Sequence, residues 1–312
     1  MDSEAAAIPL TVIGGFLGAG KTTLLNRLLA QDTGLRFAVL VNDFGDLAID
    51  GDLVAEHGGD TITLANGCIC CSMGDDLLLA LMRVLQLDQP PEHILIEASG
   101  VADPKPIADV AVLHPDLTPD AVVVLADAER VQERADDRYV GETVRRQLAA
   151  ADLVVLNKCD LVDAASQTEI RRWLTEIVPE AAVLPARQGD IPAELLLGAT
   201  PERADGPAPS AHDHHHHAEF RAAVVGGEEP IDEAAFRRAV EALPEAVLRG
   251  KGFVHLRGRP GPWVFQMVGR RYRIEAPDDL AAPPAATTRL VFLGTPEMPD
   301  EANLRRRFGL PA

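Results

Sequence analysis

Over the first 200 residues, apolar side chains come in short unbroken runs, most of them closing on polar or glycine-rich residues. Pro9–Gly14 (PLTVIG), Phe37–Asn42 (FAVLVN), Ile94–Glu97 (ILIE), Ala121–Asp127 (AVVVLAD), Asp152–Asn157 (DLVVLN) and Ala182–Pro185 (AVLP) are such runs. A strand wetted on one face alternates apolar with polar; a strand covered on both faces does not, so these predict a buried, mostly parallel sheet. Helical periodicity runs between them over Lys21–Ala30, Asp75–Leu87, Gly141–Ala150 and Ser166–Ile177. The alternation predicts an α/β fold with helices flanking the sheet and ligand loops at the carboxyl ends of the strands.

Residues 201–218 (PERADGPAPSAHDHHHHA) break this rhythm with Pro, Gly, Ala and charge in no apolar period. Such a stretch buries too little to offset the entropy of ordering it, and reads as a linker. A different pattern follows: β runs near Phe220–Val225, Ala246–Leu256, Trp263–Val268, Arg271–Glu275 and Arg289–Leu293, with helices at Asp232–Leu243 and Glu301–Phe308. Consecutive strands predict a smaller α+β domain with a mostly antiparallel sheet. The expected organisation is a first domain over 1–200, a linker over 201–218 and a second domain over 219–312, without internal repeats.

Composition narrows the partners. A chain of 312 residues can bury a sizeable core and is long enough for two domains, and 47% apolar with 4% aromatic residues predicts aliphatic packing, which suits a parallel sheet covered by helices. The formal charge of −19 argues against nucleic acid and anionic lipid, both of which need clustered Lys and Arg. No run is long enough to span a membrane and no basic segment precedes an apolar one at the start, so the expected location is the cytoplasm.

The segment Gly14–Thr23 (GGFLGAGKTT) contains GxxxxGK[ST] from Gly15 to Thr22, between an apolar strand and an amphipathic helix. Glycines let backbone N–H groups curl round a β-phosphate; Lys21 brings charge to the β- and γ-phosphates, and Thr22 a hydroxyl to Mg²⁺. This makes the first domain a P-loop nucleotide-binding unit. Asn157-Lys158-Cys159-Asp160 follows the strand DLVVL and matches NKxD. A carboxylate at Asp160 accepts from guanine N1–H and its exocyclic amine, which adenine lacks, so GTP is favoured over ATP. Asn157 would tie this loop to the phosphate loop, the Lys158 stem would cover the base, and Cys159 reads as packing beside it. Between the two motifs, the strand ending in Glu97 suits the outer shell of Mg²⁺, and the Gly100 N–H suits the γ-phosphate. The competing reading, an ordinary strand-terminal Glu, is weakened by its place after a phosphate loop.

Cys68, Cys70 and Cys71 (CxCC) lie between the phosphate loop and Glu97. Thiolates are soft ligands for Zn²⁺ and its neighbours, and three leave a tetrahedral set incomplete, which favours transient holding over a closed structural site. The alternative is a buried turn with inert thiols. The tract His212, His214, His215, His216 and His217 could collect Zn²⁺, Ni²⁺ or Co²⁺, or have no role. His57, His93 and His255 read as structural, and His114 as a weak additional ligand.

Together GGFLGAGKTTLLN, NDFGD…IDGDLV, NGCICC, EASGVADP and NKCD, in this order, resemble the CobW-like family of P-loop GTPases, and the second domain is similar to the CobW C-terminal domain. The resemblance implies a GTPase that binds a transition metal, Zn²⁺ first with Co²⁺ or Ni²⁺ as alternatives, and hands it to a client metalloprotein. Carried over, Gly15, Gly18, Ala19, Gly20, Lys21, Thr22, Thr23 and Gly100 hold phosphates. Asn157, Lys158 and Asp160 hold the base, and Lys21, Thr22 and Glu97 serve catalysis. Thr22, Glu97 and Asp50 serve Mg²⁺, and Cys68, Cys70 and Cys71, with Asp43, serve the metal. Many relatives carry Glu in place of Asp43 or Asp46, and Val101 stands where a water-orienting Gln would follow Gly100; slow intrinsic hydrolysis is the expectation. Cobalt insertion during cobalamin synthesis, activation of one metalloenzyme such as a nitrile hydratase, and a plain nucleotide switch remain as alternatives. Homo-oligomerisation is left open.

Overall fold

A computed structural model of the chain describes residues 7–42, 61–66, 75–198, 220–276 and 287–311. Contacts divide the chain into two compact units, which part between Ala193 and Glu194.

In the first unit seven strands form one sheet: β1 (Ile8–Gly15), β2 (Phe37–Asn42), β3 (Thr61–Asn66), β4 (His93–Glu97), β5 (Leu117–Asp127), β6 (Leu153–Asn157) and β7 (Ala182–Pro185). Their order is β3-β2-β4-β1-β5-β6-β7, and every neighbouring pair is parallel. The six apolar runs each become a strand. The seventh, β3, was not anticipated, because TITLAN alternates polar and apolar residues as an edge strand does. Helices α1 (Lys21–Leu29), α2 (Asp75–Leu85), α5 (Gly141–Ala150) and α6 (Ala164–Ile177) occupy the periodic segments.

Three further helices escaped the periodicity: α3 (Pro104–Leu113) and α4 (Val131–Asp136) in this unit, and α7 (Ala193–Leu197), which belongs to the second unit but for its first residue. Two are only five or six residues long. The third begins PKP, which looks like a breaker; yet Asp103 caps it, accepting from the Lys105 N–H at 2.9 Å, and Pro104 sits where the missing N–H costs nothing. β5 also starts four residues earlier than expected, running through Pro119 and Asp120, with a register shift at Leu10/Thr11 opposite.

The central strands are covered on both faces: β4 and β6 are buried at all five positions. One aliphatic cluster gathers Leu10, Val12, Leu40, Leu81, Ile96 and Ile107, another Val122, Val124, Leu148, Val154, Leu156 and Leu174. Each such side chain stabilises by about 1.5–3 kcal/mol when fully buried, so the sheet is held rigidly under the loops at its carboxyl edge. Central β1 places Ile13 beside Glu97, Gly15 beside Leu125, and β5 places Asp127 beside Asn157. The topology thus brings four strand ends, and the loops that leave them, to one edge.

The second unit holds β8 (Arg221–Gly227), α8 (Glu233–Glu241), β9 (Val247–His255), β10 (Pro262–Val268), β11 (Arg271–Glu275), β12 (Thr288–Gly294) and α9 (Glu301–Arg307). The sheet order is β11-β10-β9-β12-β8, antiparallel throughout. Phe236, Phe265, Phe292 and Phe308 form its aromatic centre, with Phe292 and Phe308 stacked at 5.3 Å. Asp232 and Asp300 cap the two helices.

Candidate nucleotide site

The loop from β1 to α1 is shaped by its glycines. Gly15 (φ 131°) and Gly20 (φ 103°) take conformations that L side chains avoid, and a Cβ would overlap Leu125 O at the first and Asn157 Nδ2 at the second. Packing therefore demands glycine at both ends of the loop, since β5 and Asn157 leave no room for a Cβ at Gly15 or Gly20. Gly20 is the N-cap of α1 and no side chain caps the helix, so its first-turn amides and dipole face the loop. Lys21 is buried, its Nζ donating to Gly15 O at 3.1 Å across the loop.

Thr22 Oγ1 donates to Glu97 Oε1 at 2.9 Å, joining α1 to the end of β4. Glu97 is buried. A hydroxyl and a carboxylate side by side at the mouth of a phosphate-sized loop are hard oxygen donors, and this donor set fits Mg²⁺. Beyond Glu97 the chain turns: Ala98 N–H donates to Ile13 O at 2.9 Å and Ala102 N–H to Ser99 O at 3.0 Å. A Cβ on Gly100 would overlap the Leu17 side chain, so this turn lies against the phosphate loop.

Asn157 is buried and bridges two loops. Its Nδ2 donates to Ala19 O at 2.9 Å, and its Oδ1 accepts from Gly189 N–H at 2.8 Å. Lys158 has φ 63°, and its ammonium pairs with Asp127 Oδ2 at 2.6 Å. Asp160 is exposed on the short 3₁₀ turn Cys159–Leu161, which Gln167 steadies by donating to Cys159 O and Val162 O. Cys159 points inward; burial pushes its thiol above the ordinary value, and its Sγ donates to Leu156 O at 3.1 Å. On the outer side of the phosphate loop lies a cleft of about 240 Å³ lined by Phe16–Ala19, Arg134 and Gln147 among others, with Arg134 over the Phe16 ring at 5.7 Å.

The fold thus collects Gly15, Gly18–Thr23, Glu97, Gly100 and the Asn157–Asp160 loop at one edge. His114 is elsewhere: it follows α3 and precedes β5, at the amino edge of the sheet, where its Nδ1 accepts from Asp116 N–H at 3.3 Å. Among the described residues no group of three or more His, Cys, Asp or Glu could hold a metal ion. Asp43, Asp50, Cys68, Cys70, Cys71, His212, His214, His215, His216 and His217 lie outside the described residues. Two contributors were not anticipated. Asp127 could have been found as an acid ending an apolar strand, and Gln147 as the polar member of the stripe Val144–Gln147–Leu148.

Residues 9–185 match the family model of the CobW/HypB/UreG nucleotide-binding domain, and residues 220–309 that of the cobalamin synthesis protein cobW C-terminal domain. The chain is similar to the zinc chaperone CobW of a Sinorhizobium species, at 35% identity over 339 residues covering 96% of this chain and 95% of that one. It is also similar to the zinc chaperone YjiA of Escherichia coli, at 32% over 282 residues covering 85% and 87%. The crystal structure of Zn(II)-bound YjiA GTPase from E. coli aligns over 99% of this chain and 100% of that one, with 26% identity and a TM-score of 0.47.

Proposed function

The chain belongs to the CobW/HypB/UreG family of P-loop GTPases, and from that premise we propose that it is a metallochaperone that carries Zn²⁺ and releases it to a client metalloprotein under control of its nucleotide state. The observation that carries the reading is the Thr22–Glu97 hydrogen bond at the mouth of the glycine cradle. It ties the helix that starts at the phosphate loop to the strand whose following turn reaches Gly100.

In this reading Gly15, Gly18, Ala19, Gly20 and Thr23 wrap the phosphates with backbone amides, and Lys21 leaves Gly15 O for the β- and γ-oxygens. Thr22 and Glu97 would hold Mg²⁺, with Asp50 as a further candidate. Bound there, Mg²⁺ neutralises charge that builds on the phosphates. Gly100 N–H contacts the γ-phosphate, and so reports whether GTP or GDP is present. Asp160 accepts from guanine, Asn157 keeps the base loop in step with the phosphate loop, and the Lys158 stem covers the base. Cys68, Cys70 and Cys71, with Asp43, hold the zinc in the stretch between the phosphate loop and Glu97; the histidine tract gathers ions for them.

Linkage then requires that zinc bind more tightly to the GTP form and GTP more tightly to the zinc form. Competitive titration with chromophoric chelators, on the protein with GDP and with a non-hydrolysable GTP analogue, tests this. A tighter zinc site with the analogue, abolished by Cys70→Ser/Cys71→Ser, is the expected result. Equal zinc affinity in both nucleotide states refutes the coupling. Zinc affinity unchanged by the double substitution removes the cysteines from the site and leaves a nucleotide switch.

A further inference from the structure

Helix α5 presents a buried stripe of Val144, Gln147 and Leu148 to an otherwise aliphatic core. Gln147 is 1% exposed. Its side chain runs to the turn after Glu97, where Nε2 donates to Ala102 O at 2.8 Å and to Gly100 O at 3.3 Å. Both neighbours are carbonyls, so only the amide NH₂ can meet them and the orientation of the group is fixed by chemistry. Its Oε1 is buried without a hydrogen-bond partner among the described residues.

A leucine at this position would pack into the same core with no polar atom to desolvate. The amide therefore does something that packing does not need. Gly100 has the widest backbone freedom of any residue type, and a contact with the γ-phosphate through its N–H is useful only if that freedom is removed beforehand. The turn is held at its start by Ala98 N–H on Ile13 O and internally by Ala102 N–H on Ser99 O. Gln147 takes two further carbonyls of the turn, one of them that of Gly100 itself.

We propose that Gln147 is a positioning residue for GTP hydrolysis: from α5 it clamps the Gly100–Ala102 turn, so that the Gly100 amide is already placed for the γ-phosphate. The inference rests on the assignment of that amide to the γ-phosphate made above. It also locates a glutamine for the reaction in a chain that has Val101 where one is expected after Gly100.

Gln147→Met keeps the length and removes the amide. It is expected to lower kcat on the order of 10- to 100-fold. Affinity for a non-hydrolysable GTP analogue should fall about tenfold while GDP affinity stays within about twofold, because only the triphosphate uses the turn. GDP affinity and the melting temperature in GDP report folding, and Gln147→Leu is measured in parallel. Equal losses for GDP and the analogue mean a merely structural residue and overturn the proposal; so does no change in either. Backbone hydrogen exchange over residues 98–103 separates the two assignments. In the unsubstituted protein, equal exchange with GDP and with the analogue would sink the Gly100 contact and with it the clamp. A difference that persists undiminished in Gln147→Met would sink the clamp alone.

Discussion

Asn157 is where the loops after β1, β6 and β7 are joined, and its removal is the sharpest test of how they are held. Its amide makes two buried hydrogen bonds, to Ala19 O and from Gly189 N–H. Asn157→Ala deletes both and leaves a buried carbonyl and a buried N–H to desolvate; a net hydrogen bond is worth about 1 kcal/mol and each stranded group costs about 1–3 kcal/mol unless water reaches it. A loss of about 3 kcal/mol is expected, which in a unit of this size lowers Tm by roughly 6–12 °C.

The same side chain faces Gly20. A Cβ there would overlap Asn157 Nδ2, and the left-handed backbone adds strain of about 1–3 kcal/mol for any non-glycine residue. In the Asn157→Ala background the overlap disappears and only the strain remains. Gly20→Ala and Asn157→Ala should therefore cost less together than the sum of their separate effects, by about 1 kcal/mol or more. Urea denaturation of the four proteins in GDP measures the cycle. Additivity within about 0.3 kcal/mol would refute the contact, and with it the claim that a side chain at the end of β6 dictates a glycine in the loop after β1.

Three further outcomes follow from the geometry. Asp160→Ala should weaken GDP binding about tenfold or more, and should erase the preference for GDP over inosine diphosphate, which lacks the exocyclic amine; a preference that survives would place recognition elsewhere. Cys159, its thiol raised by burial, should resist iodoacetamide at pH 8 in the native protein and react on denaturation, as read by peptide mass spectrometry; because the folded value is the higher one, its contribution to stability is lost as pH rises through that value, and rapid native alkylation would contradict the burial. Asp163 and Asp300 accept backbone N–H bonds from Ser166 and Asn303 that hold their carboxyls below the usual value of 3.8. Their stabilisation is present above that value and is lost as pH falls through the lower folded one, so Asp163→Asn, which caps without titrating, should flatten the acid limb of the Tm profile; an unchanged acid limb would remove the cap from the titration.

The sequence by itself determined the layers and the family. Unbroken apolar runs announce strands covered on both faces, and the fixed spacing of GxxxxGK[ST] and NKxD follows from what a phosphate and a guanine demand of a backbone. Patterns fell short where local signal and tertiary context diverge. Strand β3 alternates because it stands at the sheet edge, α3 opens on prolines that are harmless only in a first helical turn, and β5 continues through Pro119 and Asp120 because neighbours hold it there. Only the fold decided which residues meet. Central β1 sets Gly15 beside the ends of β4 and β5, and so lets Thr22 reach Glu97 across 75 positions of chain. It carries Asn157 to Ala19 across 138 and Gln147 to Ala102 across 45. Periodicity records which face of an element is buried; it holds no record of which distant element lies against that face, because that is settled by strand order and the direction of each crossover.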